Sequence, residues 1–570
     1  MRVGEKGSNR DGHSTMNATR FPRARALPWP LLLCLLFLGI TAGYPLLLLF
    51  LQSLFPELMG GSLAGFFSAY RAIGDTPEIG TLLFNSLSWA AAVTVVSWVF
   101  GIPCGYLLAR TQLPGKGLAR LSLLVPIMTP PYIAALSYIL VMQHGGFADT
   151  LLGTMPESLR NLFFSFSGVT LVMALSSFGY VALAVEATLA GLPRRLEDAA
   201  LQLGASRLRV AARIMLPLLL PAIINSGLLV FLESLSNFGV PAVLGTRANL
   251  PLLPAEIFYL VTSWPVDLAL ATSLSSLLCL FALVALYGGR WLASLFSAGG
   301  SRPGQQALRP LRTRAVILAW AWIGGLFLLS TALPYGAMIL TSLADRWQDG
   351  LPTLTLRHYH ALLSPGGRGL SALLNSLWLS IAAASICVLA GGYIAYTAAR
   401  SEGRAKKVMD ALAMLPRVIP KIVMAVALIL AWNAPWIPLD IYNTVWMLLL
   451  AYVAIYITDA LNYTHAQLAG VGVNLERAAA LMGASRLTVF RRIVLPQLKP
   501  ALLAAWLTTF IVCMRELVAS ILLLPPGVDT SATFIFNQFE QGDIALAMAM
   551  ATVTIGLSVV VMLVVQRRSR

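Results

Sequence analysis

The chain has 570 residues, 58% of them hydrophobic and 11% charged, and a mean hydropathy of +0.77. A soluble domain carries about 25% charged residues, so this chain cannot cover its surface in water and most of it must face lipid. The net charge of +16 would point to nucleic acid in a soluble protein, but the placement of the charges gives it a different meaning here.

Residues 1–28 form a polar, basic tail with Arg2, Lys6, Arg10, Arg20, Arg23 and Arg25. The apolar run from Trp29 to about Phe55 exceeds the ~7–15 residues of a signal-peptide core, and no small-residue cleavage site follows it. It reads as a retained membrane helix. A spanning helix needs about 20 mostly apolar residues. Twelve segments qualify, near 29–53, 83–109, 119–143, 163–190, 216–237 and 267–289, then 315–342, 371–399, 408–432, 443–468, 497–522 and 545–566. The stretch 291–314, with Gly299, Gly300, Pro303 and Gly304, reads as a linker. It separates a first membrane domain (29–290) from a second (315–570). Cys34, Cys104, Cys279, Cys387 and Cys513 each lie in an apolar run. They read as small core residues, with no metal-ligand spacing and no disulfide framework.

Of the 40 Lys and Arg, only Arg71, Arg160, Arg247, Arg346, Arg357 and Arg368 fall in loops on the side opposite the N-terminus. Arg417, Lys421 and Arg515 fall within helices, and all the others lie on the N-terminal side. Under the positive-inside rule both termini are then cytoplasmic. The basicity reports topology, and nucleic acid is not an expected partner.

The sequence repeats itself. Residues 193–217 and 472–496 are identical at 14 of 25 positions at a constant offset of 279. Earlier in each half a register of 290 pairs Asn85-Ser86-Leu87 with Asn375-Ser376-Leu377, Ala109-Arg110 with Ala399-Arg400, Pro126 with Pro416 and Pro130 with Pro420. The first half therefore carries about eleven more residues, placed most simply in the outer loop 143–161. Six helices per half make the two halves a parallel repeat about an axis along the membrane normal. Matched elements on one face suit a partner that is itself a twofold dimer.

The repeated segment predicts a short helix, a turn and a second helix on the cytoplasmic side. Glu197 and Asp198 favour a helix N-terminus, Gly204 stands where that helix stops, and Ser206 can cap the next one, which carries Arg207 and enters the membrane at Leu216-Pro217. The second copy repeats the plan with Glu476, Gly483, Ser485, Arg486 and Leu495-Pro496. A surface-lying connector is the plain reading of one copy; two matched copies argue for a shared partner. The residues Asp198-Ala199-Ala200, Gly204 and Ile214-Met215-Leu216-Pro217, with Arg477-Ala478-Ala479, Gly483 and Ile493-Val494-Leu495-Pro496, resemble the E-A-A-x-x-x-G…I-x-L-P signature loop of ABC importer permeases. The chain departs from that pattern at the acidic position, Asp198 in one copy and Arg477 in the other, with Glu197 and Glu476 one residue earlier.

The resemblance covers the chain from about residue 30. It implies an all-α polytopic protein of twelve membrane helices in two parallel six-helix repeats, the type I ABC importer permease fold, in a bacterial inner membrane. It also implies a non-catalytic translocation subunit whose loops dock two copies of an ATP-binding cassette subunit. ATP and Mg²⁺ would act on that subunit, since this chain holds no G-x-x-x-x-G-K-[ST] loop and is expected to bind no cofactor or metal itself. A periplasmic or lipoprotein binding protein would deliver the substrate. The fused halves and the segments Gly227–Gly245 and Phe510–Leu524 are similar to ferric iron permeases; 2-aminoethylphosphonate, polyamine and thiamine permeases are the alternatives, and a secondary transporter is the competing class. Ionisable groups within spans are candidates for a substrate path. Glu233, Asn237, Arg515 and Glu516 are the residues so chosen, with Glu233 and Arg515 expected to face each other across the pseudo-twofold axis. Arg417 and Lys421 read as reaching for the interface, Glu186 and Asp459 as buried groups on the fourth helices, and His358-Tyr359-His360 as an ordinary outer stretch.

Overall fold

The computed structural model describes residues 28–193, 195–296, 312–345, 353–401, 404–470 and 473–569. The basic tail before residue 28 and most of the linker, with the side chains of Arg207 and Arg486, lie outside the described residues. The first half runs α1 (Trp29–Leu54), α2 (Pro77–Arg110), α3 (Lys116–Met128), α4 (Pro131–Met142), α5 (Phe166–Gly191), α6 (Arg195–Gln202), α7 (Leu208–Leu235), α8 (Leu253–Thr262) and α9 (Leu268–Leu295). The second half repeats the order with α10 (Thr313–Leu343), α11 (Arg368–Arg400), α12 (Arg404–Val418), α13 (Lys421–Trp432), α14 (Val445–Leu468), α15 (Val473–Leu481), α16 (Phe490–Met514), α17 (Ser531–Glu540) and α18 (Ile544–Ser569). Among the described residues ten helices are long and apolar enough to cross a membrane, or 12 if each bent pair is one span.

The spans occur in the expected order, with one correction. The third of each half is not a straight crossing: the chain turns by 95° between α3 and α4 and by 114° between α12 and α13. Pro130 and Pro420 account for the break. Proline offers no N–H to continue the helical ladder and pushes the preceding residue out of the helical region; Thr129 has ψ 129°. Mean hydropathy over the window is blind to this dihedral demand. Prolines act differently in the first and fifth spans. There a π-helical turn precedes one proline of each span: Gly39–Gly43 before Pro45, Ala211–Met215 before Pro217, Leu328–Ala332 before Pro334 and Phe490–Val494 before Pro496. The wider turn passes the missing donor without breaking the span.

Within each half the second and fourth spans form the tightest crossing. A Cβ at Gly101 would lie 2.6 Å from the Phe178 carbonyl oxygen, and one at Gly105 would lie 2.5 Å from that of Ala182, so the Gly-x-x-x-Gly spacing lets the α2 and α5 backbones touch. The first span of each half, while also packing on the last span of its own half (α1 on α9, α10 on α18), reaches across to the other half. α1 packs along α12 and α13, and α10 along α3 and α4. Polar contacts pin both exchanges: Trp436 Nε1 donates to the Tyr44 hydroxyl at 3.0 Å, Tyr335 and Thr129 hydroxyls meet at 2.9 Å, and the Tyr138 hydroxyl donates to the Leu329 carbonyl.

The matched Asn-Ser pairs fasten α8 and α17 on the face away from α6 and α15. The Ser86 hydroxyl accepts the Leu253 N–H at 2.8 Å, and the Ser376 hydroxyl accepts that of Ser531 at 2.7 Å. Asn375 donates to the Asp529 carbonyl at 3.0 Å. The extra residues of the first half form two short helices, Phe147–Leu152 and Glu157–Phe163. Arg160 clamps them, donating to Asp149 at 2.8 Å and to the Met142 carbonyl at 3.1 Å.

Candidate functional site

Two regions gather the residues singled out by the sequence. The first is the pair of loops, α6 with the start of α7 and α15 with the start of α16. Gly204 has φ +80° and Gly483 φ +83°, a left-handed conformation that glycine adopts without a Cβ penalty. The Gly204 N–H reaches the Leu201 carbonyl and the Ala205 N–H that of Ala200, both at 3.0 Å. The Gly483 N–H reaches Ala480 at 3.0 Å and the Ala484 N–H reaches Ala479 at 3.1 Å. Both helices thus end in the same Schellman closure. Ala199 and Ala478 supply matching carbonyls to the N–H groups of Leu203 and Met482 at 3.1 Å. The next helix starts on a serine cap in each copy, Ser206 accepting the Arg209 N–H at 3.3 Å and Ser485 that of Thr488 at 3.2 Å. Arg207 and Arg486 are the first helical residues after these caps.

Each loop is locked to the membrane part by a glutamate. Glu197 is buried and pairs with Arg110, the last residue of α2, at 3.0 Å. Arg110 also donates to the Leu192 carbonyl at 3.1 Å. Glu476 pairs with Arg400, the last residue of α11, with Arg400 Nε at 3.2 Å from Oε2. These two glutamates are engaged inside the chain, and Asp198 and Arg477, one residue on, are exposed. The signal for the lock was present in the matched Ala109-Arg110 and Ala399-Arg400, whose role the sequence did not reveal. At the turns Leu203 is 87% exposed and Leu208 81%, and Met482 is 89% exposed and Leu481 76%. Four large apolar side chains held out at the tips of capped turns are a surface that awaits a partner.

The second region lies where the halves meet at the broken helices. Glu516 is buried just after α16. Its Oε1 accepts the N–H groups of Val518 at 3.0 Å and Ala519 at 3.3 Å; its Oε2 accepts the Tyr456 hydroxyl and meets Lys421 Nζ at 3.4 Å. Lys421 is the first residue of α13 and lies 5.4 Å from the Tyr456 ring centre. It therefore turns inward to a carboxylate, and the expected reach to the interface is corrected: the break at Pro420 aims it at Glu516. The Asn237 side chain, at the position matching Glu516, accepts the Val240 N–H at 3.0 Å, its one hydrogen bond among the described residues.

Glu233 and Arg515 are not joined by an ion pair among the described residues. Arg515 instead donates to the Met128 carbonyl at the end of α3, bridging the halves. Tyr132 in the first turn of α4 is buried, and its hydroxyl has no partner among the described residues. Glu186 pairs with Arg120 at 2.5 Å, while Asp459 is half-buried on α14. His358 binds the Ala344 carbonyl at 3.0 Å, and among the described residues no three His, Cys, Asp or Glu side chains form a metal-holding group.

Comparison with known proteins matches residues 101–293 and 387–569 separately to one family model, the binding-protein-dependent transport system inner membrane component. Similar along most of its length is the ferric transport system permease protein FbpB of Actinobacillus pleuropneumoniae, 28% identical over 479 residues, which are 82% of this chain and 68% of that one. The Fe(3+)-transport system permease protein FbpB 2 of Haemophilus influenzae is 24% identical over 476 residues, 83% of this chain and 86% of its own. PhnV of Salmonella paratyphi A, named for 2-aminoethylphosphonate transport, is 27% identical over 246 residues, 43% of this chain and 91% of its own.

Proposed function

Because the chain belongs to the family of binding-protein-dependent transport system inner membrane components, matched twice along its length, we propose that it is the translocating subunit of an ATP-driven importer of ferric iron. That it is an ABC importer permease of the fused two-half type, with the type I fold, follows from the doubled family match and the full-length relatives. The remaining elements are the proposal. One copy of an ATPase subunit seats on α6 and another on α15, ATP and Mg²⁺ act on those subunits, and a binding protein delivers the substrate to the opposite face. The loops and both termini lie in the cytoplasm. This chain itself catalyses no reaction.

The observation that carries the reading is the duplicated loop. Two helices with the same glycine closure, the same serine cap and the same Glu–Arg lock leave Leu203 and Met482 exposed at equivalent points. A secondary transporter has no use for such a pair. Closure of an ATPase dimer would move α6 and α15 together, and each lock would carry that motion into α2 and α11. Motion of these helices would reach the broken helices through the Lys421–Glu516 pair and the Arg515–Met128 contact.

Ferric iron is favoured because relatives named for it match both halves, whereas PhnV matches one. A second reading, an anionic phosphonate, draws on Arg417, Lys421 and Arg515 near the junction of the halves. Polyamine and thiamine have no observation of their own here. The test is uptake in vesicles containing this chain with the ATPase and binding protein encoded beside it. ATP-dependent accumulation of ferric iron, unaffected by excess 2-aminoethylphosphonate, is the expected outcome. Uptake without ATP would overturn the transporter class, and phosphonate uptake alone would overturn the substrate.

A further inference from the structure

A groove of about 530 Å³ opens on the surface where α16 meets α11, near the α15 loop. Arg491, Leu495, Lys499, Leu502 and Trp506 line it from α16 and Val388 from α11. Their spacing of three to four residues stacks them on one helical face. The series runs cation, leucine, cation, leucine, tryptophan, from the loop end of the helix inward. Arg491 and Lys499 are exposed, and among the described residues neither has a carboxylate within ion-pair distance.

The first half has no such groove residues. At the matched positions stand Ala212 for Arg491, Leu220 for Lys499, Gly227 for Trp506 and Trp98 for Val388. Trp98 fills its own groove: a Cβ at Gly227 would lie 2.4 Å from its ring, and its indole N–H donates to the Ile223 carbonyl at 3.1 Å. In the second half the ring has changed helices. Trp506 stacks on Phe510 at 5.3 Å and donates to Ser385 at 3.1 Å, and the smaller Val388 leaves space open beside two cations.

We propose that this groove binds an anionic phospholipid, its acyl chain along Leu495, Leu502 and Trp506 and its phosphate held by Arg491 and Lys499. The ligand class follows from the chemistry of the lining. Two unpaired cations call for an anion, while the apolar body rejects a free one. Lysine extends its head along such a surface to the phosphate level, tryptophan is enriched at the membrane interface, and basic pockets between helices retain anionic headgroups. Arg491 lies in the π-turn Phe490–Val494, one helical turn (Arg486–Val489) after the Ser485 cap, so the lipid would brace the second docking loop and not the first. The inference rests on the cytoplasmic placement of the loops only in assigning the lipid to the inner leaflet.

The test is native mass spectrometry of the full chain released from nanodiscs made of equal phosphatidylglycerol and phosphatidylcholine. Preferential retention of phosphatidylglycerol is expected. It should fall roughly 30-fold in R491Q/K499Q, about fivefold per cation at an anionic surface. It should also fall in V388W, which keeps both cations and fills the groove as Trp98 does. Should V388W fail to fold, the charge variant decides alone. Equal retention by R491Q/K499Q, or displacement of the lipid by millimolar inorganic phosphate, would overturn the proposal. Labelling of M482C from the outer face would instead move the lipid to the other leaflet and count against the proposed orientation.

Discussion

The two docking loops are near copies in space, whereas the two broken helices between the halves are not. Glycine closure, serine cap and glutamate lock recur bond for bond at α6 and α15. At the breaks, Lys421 stands where Pro131 stands, and Glu516 where Asn237 stands. Gene duplication supplied identical starting material for both regions. Symmetry persisted where two like partners are proposed to dock and lapsed at the broken helices between the halves. An ion pair on one side only gives that axis a polarity that two identical halves could not have.

The largest effect is expected at the asymmetric region. Lys421→Met leaves the 3%-exposed Glu516 side chain without its cation and should destabilise the protein by roughly 3–5 kcal/mol, read as a fall in the thermal unfolding midpoint in nanodiscs. K421M/E516Q removes both charges and should recover most of that loss. A K421M protein as stable as the wild type would show the pair to be incidental. At the loops a smaller and graded effect is expected. Arg110→Gln and Arg400→Gln should each loosen their own loop, the first more, because its pair is 5% and 4% exposed against 23% and 13%. Hydrogen exchange in α6 and α15 measures this; faster exchange in α15 of R400Q than in α6 of R110Q would contradict it. The smallest effects belong to Asp198→Ala and Arg477→Ala, exposed positions where a single surface charge contributes about 0–1 kcal/mol. They should differ in ATPase co-purification, and equal losses would indicate that the partner ignores the opposite charges at this matched position.

Much of this was legible in the sequence for a definite reason. Span number, order and the loop grammar depend on hydropathy and on local chemistry, glycine after a helix and serine before one, which the chain states residue by residue. The bends at Pro130 and Pro420 were marked by matched prolines but hidden inside apolar windows, because hydropathy carries no dihedral information. The pairs Arg110–Glu197, Arg400–Glu476 and Lys421–Glu516 join residues 76 or more positions apart, and no local pattern reports a long-range partner. Glu233 and Arg515, expected to face each other, make no ion pair among the described residues. The Met128 carbonyl, freed by the break at the end of α3, offered Arg515 a different partner.

The crossing-over of α1 and α10 onto the opposite half has a consequence for biogenesis. When the first half has emerged from the ribosome, α3 and α4 still present an uncovered flank, and only α10 can close it. Meanwhile α1, inserted first of all, waits for α12 and α13, the better part of the chain later. Like two clasped hands, the halves complete one another last. Severing the connector between 297 and 311 should therefore leave a non-covalent pair intact, whereas either half synthesised alone would be an orphan for quality control.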